Sequence, residues 1–157
     1  MSTIFNVGNI AAGTGWLALL VALFIARLRW TLFLYSGLIL PALFALSYVG
    51  LLVAASVGPN AAPDFTSLAG VKALFSHDAT MTVGWYHYLA FDLVVGTWIT
   101  RDGLARGASP LLMLPILLLT MFVGPAGLLA YLILWLAALR GKAAGLPMPQ
   151  ASGLKDS

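Results

Sequence analysis

The chain has 157 residues, 61% of them hydrophobic and only 8% charged, against about 25% charged residues in an average soluble domain. Its net charge of +3 rests on eight lysines and arginines set mainly at the ends of apolar runs, so lipid headgroups rather than nucleic acid are the expected partners. The absence of cysteine excludes disulfide frameworks, thiol catalysis and cysteine-ligated metals, and the long uncharged stretches place the chain among integral membrane proteins.

The opening segment MSTIFNVGNIAAGTGW has neither a basic leader region nor transit-peptide character. It is expected to stay as a helix, and the expected location is a bacterial inner membrane. In chain order, the hydropathy predicts an all-α fold. It is a polytopic bundle of four transmembrane helices over about 4–26, 30–57, 78–100 and 110–139, in one domain of residues 1–140. A helix needs about 20 residues to cross the hydrocarbon. The second and fourth runs are longer, so tilting or kinking is expected, with Pro41 inside the second and Pro115 and Pro125 inside the fourth. Gly58, Pro59, Asn60 and Pro63 predict a loop after the second span. Beyond Asp64, a candidate N-cap, Phe65, Leu68, Val71 and Phe75 recur at helical spacing. A short interfacial helix over 65–76 is predicted there, with an irregular loop as the alternative. Residues 141–157 predict a disordered polar tail.

Four spans would put both termini on one side. Arg27, Arg29, Arg101 and Arg106 would then face Lys72, Arg140, Lys142 and Lys155, a balance that gives no firm orientation. The compact first turn slightly favours termini on the outer side.

The third span holds the polar residues that need explaining. Its segment WYHYLAFDLVVGTWITRDG, residues 85–103, carries His87 and Asp92 at depths where a charge costs about 3 kcal/mol on insertion scales. Both should face protein or an internal cavity. At about 100° per residue, Met81, Trp85, Asp92 and Ile99 fall within about 60° of Tyr88, whereas His87 lies about 140° from Asp92. The pair cannot share a proton on one straight helix but can address two flanks of a ligand. Tyr88 is the same-face neighbour of Asp92. Asp78 suits an N-cap, and His77 suits a solvated interface. His87 and Asp92 also admit structural roles as interhelical hydrogen-bonding groups. Trp85 and Trp98 fit interfacial anchoring as well as ligand contact.

Two histidines ten residues apart are about 15 Å apart on one helix and cannot share a metal or sandwich a haem. No phosphate-binding glycine motif and no nucleophile elbow occurs. Chemistry that needs no tightly bound metal or nucleotide is therefore expected, with no cofactor and no metal site. In the fourth span, TMFVGPAGLLAY places Pro125 deep in an apolar run, where it removes a backbone bond and frees the carbonyl of Met121. Gly124 and Gly127 permit bending and close approach. The break is either a packing kink or, with the third helix, one wall of a pocket.

The segments WYHYLAFDLVVGTWITRDG and FVGPAGLL resemble signatures of the abscisic-acid-deficient-four-like membrane family, whose plant members are linked to neoxanthin synthesis. The resemblance spans residues 4–139. It implies an integral membrane protein with a hydrophobic isoprenoid or carotenoid partner. Two positions depart from the family pattern: Val94 stands where many members carry Phe, and Thr97 where they carry Arg.

Three readings follow. One is a cofactor-independent isomerase of a xanthophyll epoxide, with Asp92 as acid at the epoxide oxygen, His87 as base at a polyene carbon and Tyr88 orienting Asp92. Trp85, Tyr86, Phe91 and Trp98 would line a polyene slot, with Gly124 and Pro125 in the opposite wall. The second is a non-enzymatic carotenoid- or lipid-binding scaffold. The third is a proton pathway or transporter, which would need a homo-oligomer because the chain offers one deep acid.

Overall fold

A computed structural model of the chain describes residues 1–56 and 64–143. Among them every regular element is helical. The elements are α1 (Ser2–Phe24), α2 (Arg29–Leu34), α3 (Leu40–Ser56), α4 (Leu68–Leu74), α5 (Asp78–Ala105) and α6 (Pro110–Ala143). A 3₁₀ turn, Ala26–Leu28, joins α1 to α2, and a π-turn, Tyr35–Ile39, joins α2 to α3.

The basic turn ARLRW does more than reverse the chain. The Arg29 side chain donates from Nε to the Ala22 carbonyl at 3.0 Å and from Nη2 to the Leu23 carbonyl at 3.2 Å. These are carbonyls that the end of α1 leaves without helical partners. The π-turn answers Pro41. Proline has no N–H to offer the carbonyl four residues earlier and its ring crowds that carbonyl. A wider turn just ahead of it keeps α2 and α3 in one rod. Buried Ser36 ties the π-turn to α1 by donating to the Gly15 carbonyl at 2.9 Å.

Helix α5 lies at the centre and packs against α1, α3 and α6. The Tyr86 hydroxyl donates to the Ile4 carbonyl at 2.7 Å, and farther along Trp16 covers Gly96, where a Cβ would lie 2.7 Å from its ring. The two contacts advance together, so α1 and α5 run parallel. Helix α3 runs against them, with Phe44 edge-on to Tyr86 at 5.4 Å. Small residues at these seams (Ala12, Gly15, Ala90 and Gly96 are buried) let the backbones approach closely, the usual source of helix association in lipid. The outer surface is apolar instead: Leu17, Leu46, Val53 and Phe122 are all exposed.

The fourth predicted span is not a single rod. Val123 (φ −137°, ψ 40°) and Gly124 (φ 7°, ψ −80°) leave the helical conformation, and the chain doubles back. Leu112 and Ala138 line one cavity, although a straight helix would hold them about 39 Å apart. Gly127 sits so tightly on the Thr120 backbone that a Cβ there would collide with it. Pro125 follows the reversal directly and opens the returning half. A first-turn position is where its missing N–H costs nothing. The kink expected at Pro125 is therefore a hairpin of two half-helices.

Several other expectations are corrected. Because α6 returns, its described end lies at the Arg27, Arg101 and Arg106 end of the bundle, opposite the start of α1, rather than on the side of the N-terminus as a straight fourth span would place it. The helix after the loop begins at Leu68, not 65. Its N-cap is Ser67, whose hydroxyl accepts from the Gly70 N–H at 3.0 Å. Asp64 instead organises the turn before it, accepting from the Thr66 N–H at 2.8 Å and the Ser67 hydroxyl at 2.6 Å. His77, not Asp78, occupies the N-cap position of α5. Asp78 is the first helical residue, where a negative charge still suits the helix dipole. Residues 141–143 continue α6 rather than start a tail. The loop prolines at 59 and 63, and the tail from 144 onward, lie outside the described residues.

Among the described residues three helices are long and apolar enough to cross a membrane by length and composition: Ser2–Phe24, the rod Ala26–Ala54, and Pro110–Leu139. The last is counted across the reversal. Helix α5 is longer than either α1 or α3 but carries Asp78, Asp92, Arg101 and Asp102.

Candidate functional site

Helix α5 presents its polar side chains to three different neighbours. Toward α1, the Trp85 indole N–H donates to Asn9 Oδ1 at 2.8 Å, and its ring stacks on Tyr88 at 5.2 Å. Tyr86 is buried against α1 and α3. These two aromatics serve packing, and they do not join Phe91 and Trp98 in one slot. Phe91 and Trp98 stand on the open face of α5, roughly half exposed, with Trp98 edge-on to Tyr131 at 5.4 Å.

His87 is on that open face too. It is exposed, its ring lies 4.5 Å from that of Phe91 and 5.9 Å from that of Tyr48 on α3. The expectation of a protein-enclosed imidazole is corrected: nothing among the described residues covers its outer side. Asp92 points the other way, at the reversal of α6. A Cβ added at Gly124 would lie 2.8 Å from Asp92 Oδ1, so only glycine lets the turn sit on this carboxyl group. Tyr88 is the same-face neighbour of Asp92 one turn earlier, and Asp92 Oδ2 is buried with no hydrogen-bond partner among the described residues. Leaving such a group unpaired costs about 1–3 kcal/mol, more when charged, and among the described residues Asp92 shares this condition only with the Thr97 hydroxyl.

The geometry thus brings together Asp92, Tyr88, Gly124 and Pro125, and separately His87 with Phe91. It does not bring His87 to Asp92. The 3.6-residue period had already set them about 140° apart.

Two constellations near the arginine end were not legible in advance. The Tyr131 hydroxyl donates to Asp102 Oδ2, which also accepts from Arg106 Nε at 2.5 Å. Arg106 also lies over the Trp135 ring at 5.5 Å. The network closes one side of a cavity of about 350 Å³ inside the α6 hairpin. The only signal in the sequence was a lone tyrosine in an apolar run. Second, a groove of about 440 Å³ opens between the π-turn and α5. Val94 and Thr97 both line it. No cluster of three His, Asp or Glu side chains able to hold a metal occurs among the described residues.

A family model described as ABA DEFICIENT 4-like matches residues 3–131, and the chain belongs to that family. No curated protein and no solved structure matches it.

Proposed function

We propose that this member of the ABA DEFICIENT 4-like family is an integral membrane protein that isomerises a carotenoid-class isoprenoid beside α5, with Asp92 as the proton donor. In this reading α1, the α2–α3 rod and α5 cross the bilayer. Helix α6 enters and leaves on the arginine side as a re-entrant hairpin, and α4 lies in the interface at the other side. Irregular backbone at membrane depth is tolerated where it is buried in protein, and the Val123–Gly124 reversal rests on Asp92. The first half-helix, 110–122, is about 20 Å long, too short to cross the hydrocarbon of about 30 Å and long enough to place its tip at the depth of Asp92.

The observation that carries this reading is the unpartnered Oδ2 of Asp92. An ionisable group kept at depth without compensation is a functional candidate. For a xanthophyll 5,6-epoxide the balance is simple: the neutral Asp92 carboxyl gives its proton to the epoxide oxygen as the C–O bond breaks, and a base removes a proton from the adjacent polyene carbon. The product is an isomer and no cofactor is consumed.

A non-catalytic carotenoid-binding scaffold is the second reading, favoured by the exposed position of His87. Expression in a carotenoid-producing host with Asp92→Asn and His87→Ala beside the wild type separates the two. Catalysis predicts a new pigment peak in the wild type that falls at least tenfold in Asp92→Asn. An unchanged profile, with pigment co-purifying equally with all three proteins, establishes the scaffold. No effect and no bound pigment discards both.

A further inference from the structure

We infer that the groove between the π-turn and α5 binds one anionic glycerophospholipid from the leaflet on the arginine side. This site is independent of Asp92 and goes beyond the isomerase reading. Three observations converge on it. The groove, about 440 Å³, is apolar along its length, with Leu34, Leu38 and Val94 in its walls. Arg101 closes one end. Its guanidinium lies over the Phe33 ring at 5.9 Å and has no carboxylate partner among the described residues, where the ion pair is Arg106 with Asp102. Between the cation and the apolar floor sits Thr97, 5% exposed, whose hydroxyl oxygen is buried with no hydrogen-bond partner among the described residues.

The order of these groups follows the order of groups in a phospholipid. Arg101 stands at the end of the predicted span, where a phosphate lies, and a guanidinium matches phosphate oxygens in a bidentate way. Thr97 is four residues earlier, about 6 Å deeper, at the level of an acyl ester carbonyl, which would accept from the threonine hydroxyl. Val94 is about 4.5 Å deeper again, where an acyl chain begins. Trp30, 74% exposed at the rim, suits the membrane–water interface. A free phosphate would satisfy Arg101 but leave Thr97 and the apolar walls without a partner, so the whole groove fits a lipid. The preference for a net negative headgroup comes from Arg27 and Arg29 at the same end. They attract anionic lipid and oppose the cation of a choline headgroup.

The test is native mass spectrometry of the full chain in mild detergent. The protein is titrated in turn with phosphatidylglycerol, phosphatidylcholine and inorganic phosphate. One phosphatidylglycerol should bind per chain at least fivefold more tightly than phosphatidylcholine, and inorganic phosphate should not displace it. Arg101→Gln should weaken binding at least tenfold, with partial recovery in Arg101→Lys. Thr97→Val should weaken it about threefold, in line with one lost hydrogen bond. Val94→Phe, which fills the groove and leaves the charge in place, should abolish retention and carries the test if Arg101→Gln fails to fold. Equal binding of the two lipids, displacement by inorganic phosphate, or retention in Val94→Phe overturns the proposal. The readout is bound lipid, so it stands or falls separately from any pigment result.

Discussion

Helix α5 meets α6 at two acids ten residues apart, and the bundle treats them in opposite ways. Asp102, at the arginine end, accepts from both Tyr131 and Arg106. Asp92, midway along the helix, has the bare backbone of Gly124 above it and one oxygen without a partner among the described residues. The first arrangement is a strap that fixes the returning half of α6. The second leaves a carboxyl oxygen with unspent hydrogen-bonding capacity next to a glycine turn. Two acids on the same helix pair, one doubly bonded at a single oxygen and one with an unpaired oxygen, are what the proposed function rests on.

That contrast depends on the reversal of α6, and the largest effect tests the reversal itself. The chain has no cysteine, so Ser109→Cys with Ala138→Cys gives a clean pair. Both positions line the 350 Å³ cavity, whereas a straight helix would separate them by about 43 Å. A short bis-maleimide should link them nearly completely in membranes. Failure to link, with each single cysteine reactive, would unfold the hairpin and remove the basis for comparing the two acids.

The next effect sharpens the contrast. Tyr131→Phe keeps the ring against Trp98 but removes the hydroxyl from Asp102. It should cost about 1–2 kcal/mol in a reversible detergent-unfolding titration. Asp92→Asn should cost no stability, since the buried oxygen it replaces has no protein partner to lose. If Asp92→Asn destabilises as much as Tyr131→Phe, Asp92 is a structural group and the catalytic reading loses its support.

Much of this frame was readable from the chain, and the reasons for the rest are physical. Hydropathy located the long helices because lipid demands about 20 apolar residues per crossing. The helical period alone separated His87 from Asp92. Two prolines in apolar runs then gave the same signal and different outcomes. At Pro41 a π-turn absorbs the missing bond and the rod continues. At Pro125 the chain turns back, because Gly124 and Gly127 strip two faces of side chains and let the turn sit on Asp92 and Thr120. A Gly-Pro-x-Gly segment reads as a kink until the neighbour that accepts the reversal is known. The pairing of Tyr131 with Asp102 across 29 residues follows only from that reversal, and the groove at Thr97 only from the π-turn.

The smallest effect concerns an acid outside the helices, and it marks what full pairing looks like in water. Asp64 accepts from Thr66 and Ser67, and these bonds, the Ser67 hydroxyl first, lower its pKa to about 2. A carboxyl group whose folded pKa lies below its unfolded value contributes stability above the unfolded value, and loses it as pH falls through the folded one. The turn ahead of α4 should therefore be intact at pH 5 and loosen between pH 4 and pH 2. The Thr66 amide resonance in detergent micelles would follow it, shifting with a midpoint near pH 2. Because Asp64 is fully exposed, the bundle should not unfold with it, and Asp64→Asn should remove the transition while leaving thermal stability unchanged. A midpoint near pH 4 would mean that the hydroxyls do not hold the carboxylate. The short helix would then start without the turn that its Ser67 cap depends on.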